Sequence, residues 1–69
     1  MIYVFKTSVE TEIQVRTLRP HINNMLASGK WNFDLNDCDR ILRIDSEENI
    51  VSKTIDLLKI HQLRCEELQ

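Results

Sequence analysis

The chain has 69 residues, of which 42% are hydrophobic and 29% charged, and its formal net charge is −2. That length makes one domain with a single core, and the composition fits a globular rather than a disordered chain. No basic stripe could follow a phosphate backbone, and the apolar run Ile2–Phe5 is far short of the ~20 residues that cross a bilayer. Nucleic-acid binding and membrane insertion are therefore not expected.

No basic start leading into an apolar stretch and a small-residue cleavage site is read, so the expected location is cytoplasmic. Cys38 and Cys65 are too few for a disulfide framework and match no zinc spacing, so both are expected as reduced thiols. Charge is unevenly spread. Residues 1–30 carry Lys6, Arg16, Arg19 and Lys30 against Glu10 and Glu12, whereas residues 31–50 carry six carboxylates against Arg40 and Arg43.

The first element, Ile2–Lys6, is aromatic and β-branched with both alternating faces apolar, as a central strand requires. Thr7–Glu12 has the polar and acidic residues of a helix start, with Thr11 or Ser8 as the cap. Ile13, Val15, Leu18, Ile22, Met25 and Leu26 then follow a helical period. Pro20 interrupts this pattern without shifting its phase, so a kink near Arg16–Leu18 is expected rather than a break. Gly29 is expected to close the helix as a left-handed cap.

Trp31, Phe33 and Leu35 alternate with Asn32 and Asp34, the pattern of a strand with one wet face. Asn36, Asp37, Cys38 and Asp39 form a turn cluster, and Leu42 and Ile44 flank Arg43 in a second strand, completing a β-hairpin. Ser46, with Glu47 and Glu48 behind it, reads as the start of a second helix. Val51, Ile55 and Leu58 form its buried stripe, with Ile50 and Leu57 beside it, and the helix fades near His61. Leu63 and Cys65 alternate with Arg64 and Glu66 in a last short strand.

The order β-α-β-β-α-β predicts an α+β, ferredoxin-like sandwich over residues 1–69. Its antiparallel four-stranded sheet, in the order 4-1-3-2, would carry two helices on one face. The two-sided first strand suits a central position and the polar 64–69 stretch suits an edge.

Several stretches also resemble the heavy-metal-associated, copper-chaperone-like domain family. Lys6-Thr7-Ser8-Val9 stands where small bacterial members have Lys-Thr-Asn-Ile, and Pro20 stands where they carry a proline in the first helix. Trp31-Asn32-Phe33-Asp34 matches their Trp-x-Val-Asp strand, and Ile41-Leu42-Arg43-Ile44 matches their Ile-Leu-x-Val strand. The matches keep register without a gap from Lys6 to Ile44. After Ser46 only the helix-strand pattern carries the likeness.

That resemblance implies the ferredoxin-like fold and places the family's two metal-binding cysteines at Thr11 and Gln14. Family members hold soft ions with two thiolates at a helix N-terminus. A hydroxyl and an amide supply neither the charge nor the softness, so no metal of the family type and no cofactor is expected.

Of the remaining residues, Cys38 reads as a turn residue between two carboxylates and Cys65 as a small core residue. His21 and His61 read as surface histidines. No nucleophile–base pair, phosphate loop or paired carboxylates appear, so catalysis is not expected.

Trp31 opens the second strand, where it is either a core residue or a partly covered interaction residue. The leading expectation is a non-catalytic interaction or regulatory module that pairs with another protein, or with itself, through a sheet edge. The alternative is a metal-handling protein with non-standard ligands drawn from Cys38, Cys65, His21 and His61.

Overall fold

Six elements follow one another in a computed structural model that describes residues 1–26, 29–36 and 38–68. They are β1 (Ile2–Thr7), α1 (Glu12–Met25), β2 (Lys30–Asp34), β3 (Ile41–Asp45), α2 (Val51–Ile60) and β4 (Cys65–Leu68). The strands form one antiparallel sheet in the order β2-β3-β1-β4, which is the expected 4-1-3-2 read from the other edge. This is the α+β, ferredoxin-like arrangement.

Register divides the sheet into two faces. Phe5 lies opposite Leu42 and Glu67, while Leu42 also lies opposite Phe33. Period-two alternation therefore puts Tyr3, Phe5, Leu42, Ile44, Trp31, Phe33 and Cys65 on the helix-covered face. Phe5, Leu42 and Ile44 are completely buried there, together with Leu18, Ile22, Ile50 and Leu58 from the helix layer. Burying such side chains contributes roughly 1.5–3 kcal/mol each, against a large ordering entropy. On the opposite face Ile2, Lys6, Arg43 and Asp45 are exposed, whereas Ile41 is buried.

Thr11 caps α1 as expected, and Ser8 has another task. Ser8 Oγ accepts from the Arg64 backbone N–H at 2.8 Å, while the Ser8 N–H donates to the Arg64 carbonyl at 3.1 Å. This pair extends the β1–β4 ladder by one step beyond the strands. Val9, beside it, is fully buried although its neighbours are polar. α1 then runs through Pro20 to Met25 as one helix. Proline removes only the bond that the Arg16 carbonyl would accept.

Several expected boundaries move. Helix α1 ends on Leu26, which is extended at φ −98° and ψ 110°, and Gly29 is not left-handed. What demands glycine at position 29 is space: a Cβ there would lie 2.7 Å from the Asp45 carbonyl oxygen. Ile13, counted with the apolar stripe, is 72% exposed. Leu35 falls in the turn after β2, where Asn36 N–H donates to Asp34 Oδ1 at 3.2 Å. Asp37 of that turn lies outside the described residues.

Helix α2 begins at Val51 rather than near Ser46. Ser46 Oγ accepts from Glu48 N–H in a turn of its own, and Asn49 Oδ1 accepts from Val51 N–H. Between them Ile50 enters the core before the helix starts. The buried face of α2 is Thr54 and Leu58, with Val51, Ile55 and Leu57 only half-buried. Thr54 tolerates burial because its hydroxyl donates to the Ile50 carbonyl at 2.8 Å.

The end of α2 shows a Schellman closure without glycine. Leu63 N–H donates to the Leu58 carbonyl at 2.8 Å and Gln62 N–H to the Lys59 carbonyl at 2.9 Å, with Gln62 left-handed at φ 61°. Leu63 thus belongs to this cap, and β4 starts only at Cys65.

Candidate functional site

The positions that the resemblance assigns to metal ligands sit at the start of α1. Thr11 Oγ1 accepts from Gln14 N–H at 3.2 Å, and Gln14 Oε1 accepts from Thr11 N–H at 3.1 Å and from Glu10 N–H at 2.7 Å. This is a reciprocal capping box, with Glu12 in the first turn adding favourable charge. The two side chains thereby occupy the N–H groups of Glu10, Thr11 and Gln14 at this helix end. The capping residue was legible in the sequence. The partnership of Thr11 with Gln14 emerges only in the structure, although threonine followed three residues later by glutamine is its signal.

A second feature lies along the free side of β2. Among the described residues this strand pairs only with β3, so no described strand lies beside the backbone groups on its outer side. Helix α1 stands back from that edge and leaves an open groove of about 740 Å³. Consecutive residues Trp31 to Asp34 line it, so it follows the strand edge and reaches both faces, while Val15, Arg16, Arg19 and Asn23 form its helical wall.

Trp31 is half-buried here, between the two expectations for it. Its indole N–H donates to Asn23 Oδ1 at 2.8 Å, and its ring meets Phe33 edge-on at 5.8 Å between centroids. It also packs on the core cluster. The hydrogen bond satisfies the polar end of the indole and fixes the ring against α1, so the remaining aromatic surface is presented in one orientation.

Charge in the groove is uneven. Arg43 pairs with Asp34 at 3.9 Å, whereas Arg16 and Arg19 make no ion pair among the described residues. Two cations on successive turns of α1 therefore line the same groove as the aromatic strand edge, with Glu12 as the one carboxylate from the helical wall. The sequence marked Trp31 but not these arginines. Their signal was positional, since Arg16 and Arg19 flank Val15 and Leu18 on the rim of the apolar stripe.

The proposed alternative ligands are dispersed, with one exception. Cys38 is exposed in the hairpin turn. Cys65 faces the helix layer opposite Thr7, and burial pushes its thiol up to about 12, so at neutral pH it is a protonated, apolar packing group. His21 and His61 do meet, with ring centroids 4.9 Å apart. Among the described residues no three His, Cys, Asp or Glu side chains gather where they could hold a metal ion, and no helix is long and apolar enough to cross a membrane.

Neither protein-family models, curated proteins nor solved structures give a match to this chain.

Proposed function

We propose that this protein is a non-catalytic interaction module that holds an extended, acidic segment of a partner protein along the free edge of β2. The observation that carries this reading is the β2 groove, which a fixed, half-buried Trp31 lines together with Arg16 and Arg19. A segment added as a fifth strand would take its affinity from backbone hydrogen bonds to β2. Its alternate side chains would lie over Trp31 and Phe33, with carboxylates toward the two arginines.

The module is further proposed to be a degenerate relative of heavy-metal-associated domains, acting in the cytoplasm with both thiols reduced. The capping box at Thr11 and Gln14 supports that part, because it fills the ligand positions with groups that satisfy the helix end from within. Installing Thr11→Cys and Gln14→Cys together should create a tight Cu(I) site if the register is right. Failure of that double variant, while folded, to bind Cu(I) would remove the family assignment and leave the groove reading untouched.

The groove itself is tested by titrating the protein with a short peptide of alternating glutamate and valine. Binding should weaken as salt is added and vanish when lysine replaces glutamate. Equal binding of the acidic and basic peptides would contradict the reading. So would a stable dimer closed through β2, since the edge would then belong to a second copy.

A further inference from the structure

His21 stands in the second half of α1 and His61 is the residue that ends α2, forty positions later in the chain. The fold lays the two helices on the same face of the sheet and brings these rings to 4.9 Å between centroids, tilted by 56°. Nothing in the capping box or the β2 groove uses either side chain.

The geometry points to a surface site for a divalent transition-metal ion that favours imidazole, such as Zn(II), held by His21 and His61. Two imidazoles bound to one tetrahedral ion at ~2.0–2.1 Å place their ring centres about 5 Å apart, which is the separation already present. His61 is prepared for this role by its other nitrogen. Nδ1 lies 3.0 Å from the Leu57 carbonyl oxygen, which can only accept, so in the tautomer that makes this bond the proton is on Nδ1 and Nε2 keeps its lone pair. A ring N–H given to a backbone carbonyl is the usual way a ligating histidine is oriented. The backbone beneath it is pinned by the closure of α2 through Gln62 and Leu63. His21 is exposed, so its ring can adjust without disturbing the core.

With only two protein ligands, solvent fills the other positions, which makes the site open and exchangeable rather than a closed structural centre. The absence of thiolate from the pair selects Zn(II), Cu(II) or Ni(II) over the soft Cu(I) ion. A bound ion would tie α1 to α2 on the side of the helix layer, independently of the β2 groove. Loss of either inference therefore leaves the other standing.

The test is titration of ZnCl2 alone into the full chain, with the histidine ring resonances as the local readout and the thermal midpoint as the global one. The expected result is one ion per chain, shifts of both histidines, and a higher midpoint because only the folded chain holds the pair together. His21→Asn and His61→Asn should each weaken binding by at least about ten-fold, with unchanged Trp31 fluorescence showing that both variants fold. Cys38→Ser should bind as the parent does. An affinity indifferent to His21→Asn, a site lost in Cys38→Ser, or no stoichiometric binding would overturn the assignment and leave the ring contact as packing only.

Discussion

The outer strands of the sheet, β2 and β4, each have one side without a neighbouring strand among the described residues, yet the side chains beside those two edges differ in kind. β4 is four residues long and carries Glu66 and Glu67 in succession. Adjacent carboxylates on a short edge discourage another strand from pairing there. β2 is a residue longer, turns Trp31 and Phe33 toward the helix layer, and lies beside Arg16 and Arg19. On the proposed reading, an acidic segment is repelled at the β4 edge and attracted to the β2 groove. Two equivalent backbone edges are told apart by a handful of side chains, and the proposed specificity includes a repulsive element.

The strongest way to break this contrast is to remove the aromatic anchor. Trp31→Ala should cost about 2–3 kcal/mol of stability, since a half-buried ring loses contacts and Asn23 loses its donor. It should also abolish peptide binding. Denaturant unfolding and the glutamate–valine titration measure the two effects, and Trp31→Phe should retain most of the stability but bind more weakly.

Reversing charge separates affinity from stability. The double variant Arg16→Glu with Arg19→Glu should reduce acidic-peptide affinity by about 100-fold, while unfolding free energy stays within about 0.5 kcal/mol because both side chains are exposed. A double variant that binds like the parent would mean that the arginines are only a solvated helix face.

Glycine 29 sharpens the comparison from the backbone side. Gly29→Ala puts a Cβ against the Asp45 carbonyl just where β2 meets β3, so a loss of about 1–3 kcal/mol is expected. Amide exchange should accelerate in β2 and β3 and stay unchanged between β1 and β4.

The smallest effect belongs to Cys65 on the β4 side. Its folded pKa of about 12 lies above the ordinary 9.0 expected of the unfolded chain, so the fold favours the neutral thiol. That contribution is complete below pH 9.0 and is lost as the pH rises toward 12. Thermal midpoints should fall through this window and fall less in Cys65→Ala. At neutral pH a thiol reagent should modify exposed Cys38 well before Cys65.

Much of the fold was legible because hydrophobic alternation and helical period state it directly. Trp31-Asn32-Phe33 and Leu42-Arg43-Ile44 show which strand face is buried, and the two-sided Ile2–Phe5 run places β1 inside the sheet. Local boundaries were harder, since residues suited to caps were used elsewhere. Ser46 makes a turn before the helix, Ser8 binds Arg64, and Gly29 answers to a neighbouring carbonyl rather than to a left-handed cap. Buried Thr54 escaped the pattern because its hydroxyl is satisfied by its own helix. The candidate sites were least visible. Trp31 stood out by type, but Arg16 and Arg19 matter only once α1 is laid beside β2, and His21 and His61 are joined only by the packing of two helices.

The central claim is that an acidic strand docks on β2 and avoids β4, and amide hydrogen exchange with the glutamate–valine peptide bound tests it most directly. Saturating peptide should slow exchange at outward-facing amides within Lys30–Asp34 and leave Cys65–Leu68 unchanged. Protection at β4, or at neither edge despite binding, would contradict it.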